Sequence, residues 1–277
     1  MQKLINYALD RENNVCSLMI VKDGRALFSL DTDTRRPVYS ATKSVLSVGI
    51  GLLSAEGKID KSAPLAKYLT AQQLGSIPKN KLEGFERLPI TRFLTMSLKG
   101  YPFRPEGKSG WIEQALSANI DYAQPPAFSY SNFPALLVGI AAQNAADELL
   151  DDFLDSKLFS RLGISRPVFS HTPEGYFYGA SGMQLSCKEL YLIGDYLLKN
   201  AHEDGYLSSA VSKQISADNE GYGYFFWVRD NCFYISGKWG QKCIISPKNN
   251  AVITYLCDKK DGDSELFVLA AACARGL

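Results

Sequence analysis

The sequence lacks any long hydrophobic run. No apolar stretch approaches the roughly 18 residues that a membrane-spanning helix needs, so we expect no membrane partner. The first residues, 1–14, carry charges where a secretory signal peptide has an apolar segment. Together these two absences predict a cytoplasmic protein.

An excess of charge of one sign is also missing. The chain has 30 Lys and Arg against 29 Asp and Glu, which gives a formal net charge of +1. The basic residues are spread along the chain and form no patch of the kind that nucleic-acid binding requires. We therefore expect a small-molecule substrate and no nucleic-acid partner, and the composition does not predict an oligomeric state.

The chain is poor in patterns that hold metals. Its six cysteines are scattered without CxxC spacing, which in a chain this long indicates reduced and mostly buried thiols. Only two histidines occur, His171 before Thr-Pro and His202 in a polar stretch. A Ser-His-Asp triad stays open, although neither histidine lies in a recognisable triad context. We predict no metal and no organic cofactor.

Strand-like segments lie at the two ends of the chain. Residues 15–30 contain two apolar runs, and Asp23-Gly24 between them is a strong hairpin signal. Towards the C-terminus, runs rich in Tyr, Phe, Val and Ile predict four strands, 222–229, 232–238, 241–246 and 250–257. Helical spacing of apolar residues predicts a final helix over 262–275.

The middle of the chain is predicted to be mostly helical. Suitable apolar spacing occurs over 40–56, 63–69, 90–97, 111–118, 132–146, 147–160 and 186–201. At 277 residues and 46% hydrophobic, the chain suits one domain, 1–277, of α/β (α+β) class. We expect one antiparallel sheet lobe (about 1–38 and 212–277), flanked by helices, with an inserted helical lobe (about 39–211). A site is expected at the seam.

The strongest candidate nucleophile is Ser40, which begins an apolar segment without charges between Lys43 and Glu56. A helix that is apolar on nearly all faces is buried. Ser40 and Lys43 are three apart and therefore share a face of the first turn. The free N–H groups at a helix N-terminus favour an oxyanion, and burial disfavours the lysine ammonium, so Lys43 could accept the serine proton.

The Ser-x-x-Lys pattern alone is weak evidence. A second copy, Ser76 to Lys79, lies in a loop-like stretch with no buried helix behind it. The alternative interpretation of the first copy is a serine N-cap followed by an exposed lysine in the first turn.

Two further segments carry candidate polar residues. Tyr130 and Asn132 stand at a loop-to-helix junction, where a tyrosine can relay a proton and an asparagine can hold an amine or a substrate amide. The alternative is a helix cap beside a packed tyrosine. Lys238 lies in Ser-Gly-Lys-Trp-Gly-Gln between two predicted strands, where glycines indicate close approach to a ligand. The alternative there is a glycine bulge with a solvent-facing lysine.

Taken in order, these three segments resemble the SxxK helix, the YxN loop and the KTG-like strand of the serine β-lactamase and penicillin-binding-protein superfamily. Tyr-Ser-Asn at 130–132 is most similar to the class C β-lactamase and esterase branch. The resemblance covers nearly the whole chain, and GYGYFFWV and GKWGQ are similar to the family's yGyGW strand and GxxGQ turn. It implies a β-lactamase/transpeptidase-like fold.

The resemblance implies catalytic roles for residues of the first two motifs. Ser40 matches the nucleophile, Lys43 the general base and Tyr130 a second acid/base. Asn132 matches the residue that contacts both the lysine and the substrate.

The third motif and the oxyanion donors follow from the same resemblance. Lys238, Trp239 and Gly240 match the KTG positions, and the backbone N–H groups of Ser40 and Gln241 match the oxyanion hole. Trp239 departs from the pattern, since a hydroxyl residue there helps to hold a β-lactam carboxylate. The departure favours an apolar acyl or alcohol group. Aromatic residues at 222–227 could line the same pocket, or could simply be core.

The leading hypothesis is therefore a serine hydrolase that acts through an acyl-enzyme on a small ester or amide, as an esterase, amidase or acyltransferase. The first alternative is a β-lactamase or D-amino-acid peptidase. The second is a non-catalytic sensor or scaffold with the same fold.

Overall fold

The structure, a computed structural model, describes residues 1–122, 124–203, 205–260 and 264–277. Its strands, in chain order, are β1 (Val15–Lys22), β2 (Arg25–Leu30), β3 (Arg36–Pro37), β4 (Gln184–Leu185), β5 (Ile215–Ala217), β6 (Glu220–Tyr222), β7 (Trp227–Arg229), β8 (Cys232–Gly237), β9 (Gln241–Ser246) and β10 (Ala251–Cys257).

Eight of these strands form one sheet in the order β2-β1-β10-β9-β8-β7-β6-β5, with every neighbouring pair antiparallel. The first hairpin turns at Asp23 and Gly24, which both take positive φ as the Asp-Gly signal requires. Because β1 pairs with β10, the two ends of the chain meet in the middle of the sheet. The predicted antiparallel sheet built from N- and C-terminal strands is confirmed.

The helices of the described residues are α1 (Gln2–Leu9), α2 (Ala41–Ala55), α3 (Ala71–Gly75), α4 (Lys79–Arg87), α5 (Ile90–Leu94), α6 (Trp111–Ser117), α7 (Asn132–Ala146), α8 (Leu150–Leu154), α9 (Cys187–Asn200), α10 (Gly205–Ala210) and α11 (Ser264–Gly276). None of them is long and apolar enough to cross a membrane.

Helices cover both faces of the sheet. On one face α1 and α11 pack over β1 and β10, and Leu4, Leu18, Ile253 and Leu266 share one buried cluster there. On the other face α9 lies so close to the sheet that a Cβ at Gly194 would be 2.4 Å from Cys243 Sγ. Glycine therefore lets this helix approach the strands directly.

Two buried helices, α2 and α7, form the centre of the helical region. Every residue of α2 over 41–51 and of α7 over 132–142 is buried. This agrees with sequences that are apolar on nearly all sides. The N-terminal ends of both helices meet β8, since Ser40 and Asn132 line the same cleft as Ser236 and Gly237.

Several predicted elements have different bounds in the structure. The predicted strand 222–229 is wrong in its middle: β6 ends at Tyr222, and the chain turns back so that Tyr222 pairs with Trp227. Gly223 N–H donates to Phe226 O within this turn. The turn is apolar because it packs into the core, which made it resemble a strand.

The helix predictions differ mainly in length. Positive φ at Asp147 ends α7, and α8 continues as a π-helical turn, Asp155–Phe159, and a 3₁₀ turn, Ser160–Leu162, so the helix predicted over 147–160 is present over most of its length. The helix predicted over 90–97 is shorter, since α5 ends at Leu94 and Met96 has a positive φ. The segment 63–69 contains only a 3₁₀ turn, Leu65–Tyr68. Helices α1, α3, α4 and α10 were not predicted. Positions 262 and 263, the start of the last predicted helix, lie outside the described residues.

Candidate active site

Ser40 lies where the sheet meets the buried helix α2. It is the residue before the first helical position, and Tyr39 before it has a φ of 48°. A left-handed conformation is uncommon for a bulky residue and is stored strain that surrounding contacts must hold. The preceding backbone is held by a hydrogen bond from Val38 N–H to Met183 O and by the β3–β4 ladder. The serine hydroxyl is thus presented at a fixed point in the fold.

Lys43 is fully enclosed, with 1% of its surface exposed. Its Nζ lies 3.1 Å from Ser40 Oγ, 2.8 Å from Asn132 Oδ1 and 2.7 Å from Ala180 O. Desolvation by burial lowers the pKa of the amine from 10.5 to about 7. The predicted buried lysine is therefore present, and the alternative of an exposed first-turn lysine does not describe it.

Asn132 is oriented by a second hydrogen bond. Its Nδ2 donates to Tyr178 Oη at 3.1 Å, which leaves Oδ1 to accept from Lys43. The side chain stands at the start of α7, where Ser131 Oγ caps the helix by accepting from Phe133 N–H. An asparagine at this helix end is thus held in one orientation by its neighbours.

Tyr130 lies against both the serine and the lysine. Its side chain lines the same cleft as Ser40, and Lys43 Nζ lies 5.1 Å from the centre of its ring. Burial raises the pKa of Tyr130 to about 12, so the phenol keeps its proton at neutral pH. The three predicted catalytic side chains therefore meet at one point.

These groups open into a cleft of about 610 Å³. Its lining is aromatic and small polar, with two cations: Tyr39, Ser40, Phe103, Arg104, Tyr130, Asn132, Ser181, Trp227, Ser236, Gly237, Lys238 and Trp239. None of these residues is acidic, so the cleft is suited to neutral or anionic molecules.

The third motif is displaced from its predicted position. Lys238 and Trp239 line the cleft, but Gly240 and Gln241 do not. Gln241 is 3% exposed, and its side-chain amide donates to Lys238 O and Cys257 O. Residues 238–240 form the turn between β8 and β9, so Gln241 already belongs to the next strand.

Gly237 approaches the segment before the nucleophile closely. A Cβ at this position would lie 2.1 Å from Val38 O, so only glycine lets β8 approach the chain before Ser40. The β7–β8 ladder ends at Trp227↔Tyr234, and beyond it the edge of β8 faces the cleft. Ser236 and Gly237 therefore occupy the place that the sequence prediction gave to Trp239 and Gly240.

Several residues of the site were not predicted. Phe103, Arg104, Ser181 and Tyr178 come from segments without a recognisable motif, and their positions depend on tertiary packing. Of the aromatic residues at 222–227, only Trp227 lines the cleft, since the others are buried in the core.

Neither histidine is at this site. His171 Nε2 is 2.9 Å from Asp151 Oδ2, and His202 lies near Glu203. Neither side chain is among the cleft-lining residues, so the structure does not support a Ser-His-Asp arrangement at Ser40. Within the ranges that the structure describes, no three His, Cys, Asp or Glu side chains come together as a metal site.

Comparison with solved structures gives several close matches in fold. A penicillin-binding protein from Bacillus halodurans has a TM-score of 0.74 at 14% identity, with 98% of this chain and 99% of that chain covered. A beta-lactamase/D-alanine carboxypeptidase from Pseudomonas syringae has a TM-score of 0.74 at 14% identity, covering 99% and 97%. A beta-lactamase from Mycobacterium bovis has a TM-score of 0.69 at 15% identity, covering 93% and 92%.

No curated protein sequence matches this chain significantly. At these low identities the structural matches establish the β-lactamase/transpeptidase-like fold. The sequence model of one family, Beta-lactamase, matches residues 11–274, which is nearly the whole chain. The chain therefore belongs to the beta-lactamase family of serine hydrolases.

Proposed function

We propose that this protein hydrolyses esters or amides of small molecules through an acyl-enzyme formed on Ser40. The observation that carries the proposal is the set of hydrogen bonds around Lys43. Two of its three partners, Asn132 Oδ1 and Ala180 O, can only accept. The third, Ser40 Oγ, can donate or accept.

This partner set suits a neutral amine. A neutral amine has two N–H groups, which satisfy the two obligate acceptors, and one lone pair, which then points at the Ser40 hydroxyl. With a pKa lowered to about 7 by burial, a large share of Lys43 is neutral near pH 7. Lys43 is thus positioned to take the proton as Ser40 attacks a carbonyl.

Tyr130 completes a route for that proton. Its hydroxyl is protonated at neutral pH and its side chain lines the cleft with Ser40, so it can protonate the leaving oxygen or nitrogen. Tyr130 is left as a phenolate, and the ammonium formed on Lys43, which lies beside the Tyr130 ring, returns a proton to it. Deacylation by water uses the same groups in reverse.

The developing oxyanion needs backbone donors. The N–H of Ser40 stands at the start of α2, where the helix dipole favours negative charge. The displaced third motif makes Lys238, the residue after Gly237, the second candidate donor in place of Gln241. Removal of one oxyanion donor typically costs about 10²–10³ in rate.

An esterase or amidase preference is supported by the aromatic cleft. Tyr39, Phe103, Trp227 and Trp239 give it apolar walls. A β-lactamase or D-amino-acid peptidase is the second candidate, because Ser236, Arg104 and Lys238 could receive a substrate carboxylate.

The test measures turnover of short-chain p-nitrophenyl esters alongside a panel of β-lactams. Ser40→Ala should reduce ester turnover by about 10⁴-fold or more, because the nucleophile is lost. Ser76→Ala is the matched control and should leave the rate unchanged, since Ser76 is exposed outside the cleft.

Labelling distinguishes the remaining candidates. A fluorophosphonate should add to Ser40, as located by mass spectrometry of the digested protein. Absence of this adduct in the wild-type protein, together with absence of ester turnover, would favour the sensor or scaffold hypothesis. Rapid release of a fluorescent penicillin with no ester turnover would instead favour the β-lactamase.

A further inference from the structure

The aromatic side chains that line the cleft form two groups of contacting rings. The first group, here the ring row, is Phe103, Tyr130 and Trp227. Tyr130 stacks on both neighbours, with ring centres 6.5 Å from Phe103 and 6.4 Å from Trp227. The second group, here the ring pair, is Tyr39 and Trp239, whose rings meet edge to face at 5.0 Å.

The two groups are attached to different parts of the catalytic machinery. The ring row contains the Tyr130 phenol, which lines the cleft with Ser40 and has Lys43 Nζ 5.1 Å from its ring centre. The ring pair contains the residue that directly precedes Ser40 and a residue of the β8–β9 turn. Both members of the pair have positive φ, 48° at Tyr39 and 63° at Trp239. Strained backbone of this kind persists only where surrounding contacts hold it in place.

The chemistry assigns a different half of the substrate to each group. As Ser40 Oγ bonds to the carbonyl carbon, its proton passes to Lys43. The bond from that carbon to the leaving oxygen or nitrogen then breaks, and the electron pair goes to the leaving atom. That atom takes the Tyr130 proton, so it must lie against the ring row when the bond breaks.

We propose that Phe103 and Trp227 bind the alcohol or amine that leaves, whereas Tyr39 and Trp239 bind the acyl group that stays on Ser40. This assignment rests on the proposed acyl-enzyme function. It names the substrate class as esters or amides that carry a flat apolar group, such as an aryl or cycloalkyl ring, on each side of the scissile bond.

The exposure of the rings predicts how large a leaving group and how large an acyl group the cleft accepts. Phe103 is 63% exposed, so the ring row opens to solvent and a large leaving group can extend out of the cleft. Trp239 is half-buried, and Lys238 Nζ lies 5.1 Å from its ring centre. The acyl side is therefore more closely bounded than the leaving-group side, and it should discriminate more sharply by size.

The kinetic test separates the leaving-group half of the substrate from the acyl half. The leaving group has already departed when the acyl-enzyme decays, so the decay rate depends on the acyl group alone. Four esters are made from two acyl groups, acetyl and phenylacetyl, and two alcohols, ethanol and 2-naphthol. Formation and decay of the acyl-enzyme are followed by rapid quench and intact mass measurement. Phe103→Ala and Trp239→Ala are compared with wild type and with Val268→Ala, an exposed apolar control on α11.

Phe103→Ala should slow acylation by the naphthyl esters about three- to tenfold and leave the decay rate of each acyl-enzyme unchanged. Trp239→Ala should change the decay rate of the phenylacetyl-enzyme by a similar factor, identically for both alcohols, and that of the acetyl-enzyme much less. Val268→Ala should match wild type. Trp239→Phe, which keeps a ring, should recover most of the loss.

The assignment is overturned if Phe103→Ala alters decay of the acyl-enzyme, or if the effect of Trp239→Ala follows the alcohol rather than the acyl group. A wild-type protein that forms no acyl adduct with any of the four esters would instead refute the acyl-enzyme itself. The two failures are thereby distinguishable.

Discussion

The Ser-x-x-Lys pattern occurs twice in the chain, and its two copies have opposite surroundings. Ser40 and Lys43 begin a helix that is buried from its first turn. Ser76 and Lys79 are exposed and belong to different elements, since Ser76 follows α3 and Lys79 begins α4. Ser76 Oγ donates to Gln72 O, a local bond within its own turn.

The difference shows what the short pattern does and does not specify. Four residues place a hydroxyl and an amine within reach of each other, but only the surroundings change their proton affinities. At the first copy, Asn132 and Ala180 supply the acceptors from segments distant in sequence. Reactivity therefore depends on the helix that follows and on the strands and loops that enclose the pair.

The largest expected effect comes from replacing the lysine in each of the two Ser-x-x-Lys copies. Lys43→Met should lower ester turnover by about 10³-fold or more, because a positioned general base is removed. Lys79→Met carries the same change at the exposed copy and should leave kcat and KM unchanged. Steady-state kinetics on one p-nitrophenyl ester measure both. Equal losses in the two variants would contradict a specific role for the buried lysine.

A smaller effect is expected at Tyr178, which holds Asn132 in its orientation. Wild-type activity should rise with pH through about 7, as Lys43 loses its proton, and then level off. Tyr178→Phe removes the acceptor for Asn132 Nδ2, and the amide is then free to turn its Oδ1 away from Lys43. When Lys43 loses Asn132 Oδ1 as an acceptor, its ammonium form is disfavoured and its pKa falls. The acidic limb of the pH profile should therefore move to lower pH, and kcat should fall about tenfold.

The pH profile is what identifies Tyr178 as a positioning residue. A structural defect alone would lower kcat without moving the acidic limb. Tyr176→Phe, a change in the same segment outside the cleft, is the matched control and should keep both the rate and the profile of wild type.

Much of the fold could be predicted because its signals are local. The Asp-Gly hairpin and the two all-apolar helices α2 and α7 are readable from short windows of sequence. The turn at 223–226 was missed because its residues are apolar for reasons of tertiary packing. A turn buried against a neighbouring helix has the composition of a strand, and periodicity cannot distinguish the two.

The site residues likewise fall into those that the sequence predicts and those that depend on tertiary packing. Ser40, Lys43, Tyr130 and Asn132 were found from spacing and order along the chain, and the structure brings them together. The third motif was placed three residues too late, since both Gly237 and Gly240 offer a glycine. In the structure Gly237 lies against Val38 O and lines the cleft, whereas Gly240 has a positive φ and lies against Cys257, and these contacts depend on the whole sheet.

The cleft residues that come from loops could not be predicted from the sequence. Phe103 and Arg104 lie almost 30 residues before Tyr130, in a stretch with no motif. The Phe103 carbonyl accepts from Asn132 N–H, which ties that loop to the start of α7. Nothing in the local sequence of either segment encodes this contact.

The last prediction concerns stability. It tests whether burial of the Lys43 amine lowers the free energy of unfolding. The Lys43 pKa is about 7 in the folded protein against about 10.4 in an unfolded chain. Between these values the unfolded state binds more protons, so this group makes stability rise with pH across the window from 7 to about 10.4. Below pH 7 both states are protonated and the cost is present in full.

Lys43→Met should remove this pH-dependent contribution. The melting temperature of wild type relative to the variant should therefore increase between pH 7 and 10 by on the order of 10 °C, since about 4 kcal/mol is regained over this window and a protein of this size shifts by roughly 2–4 °C per kcal/mol. Lys79→Met, the same substitution at the exposed copy, is measured alongside as the reference. Differential scanning calorimetry at several pH values measures both differences. Parallel curves for wild type and Lys43→Met would mean that the amine titrates alike in the folded and unfolded chain, and the contrast between the two Ser-x-x-Lys copies would then lose its electrostatic basis.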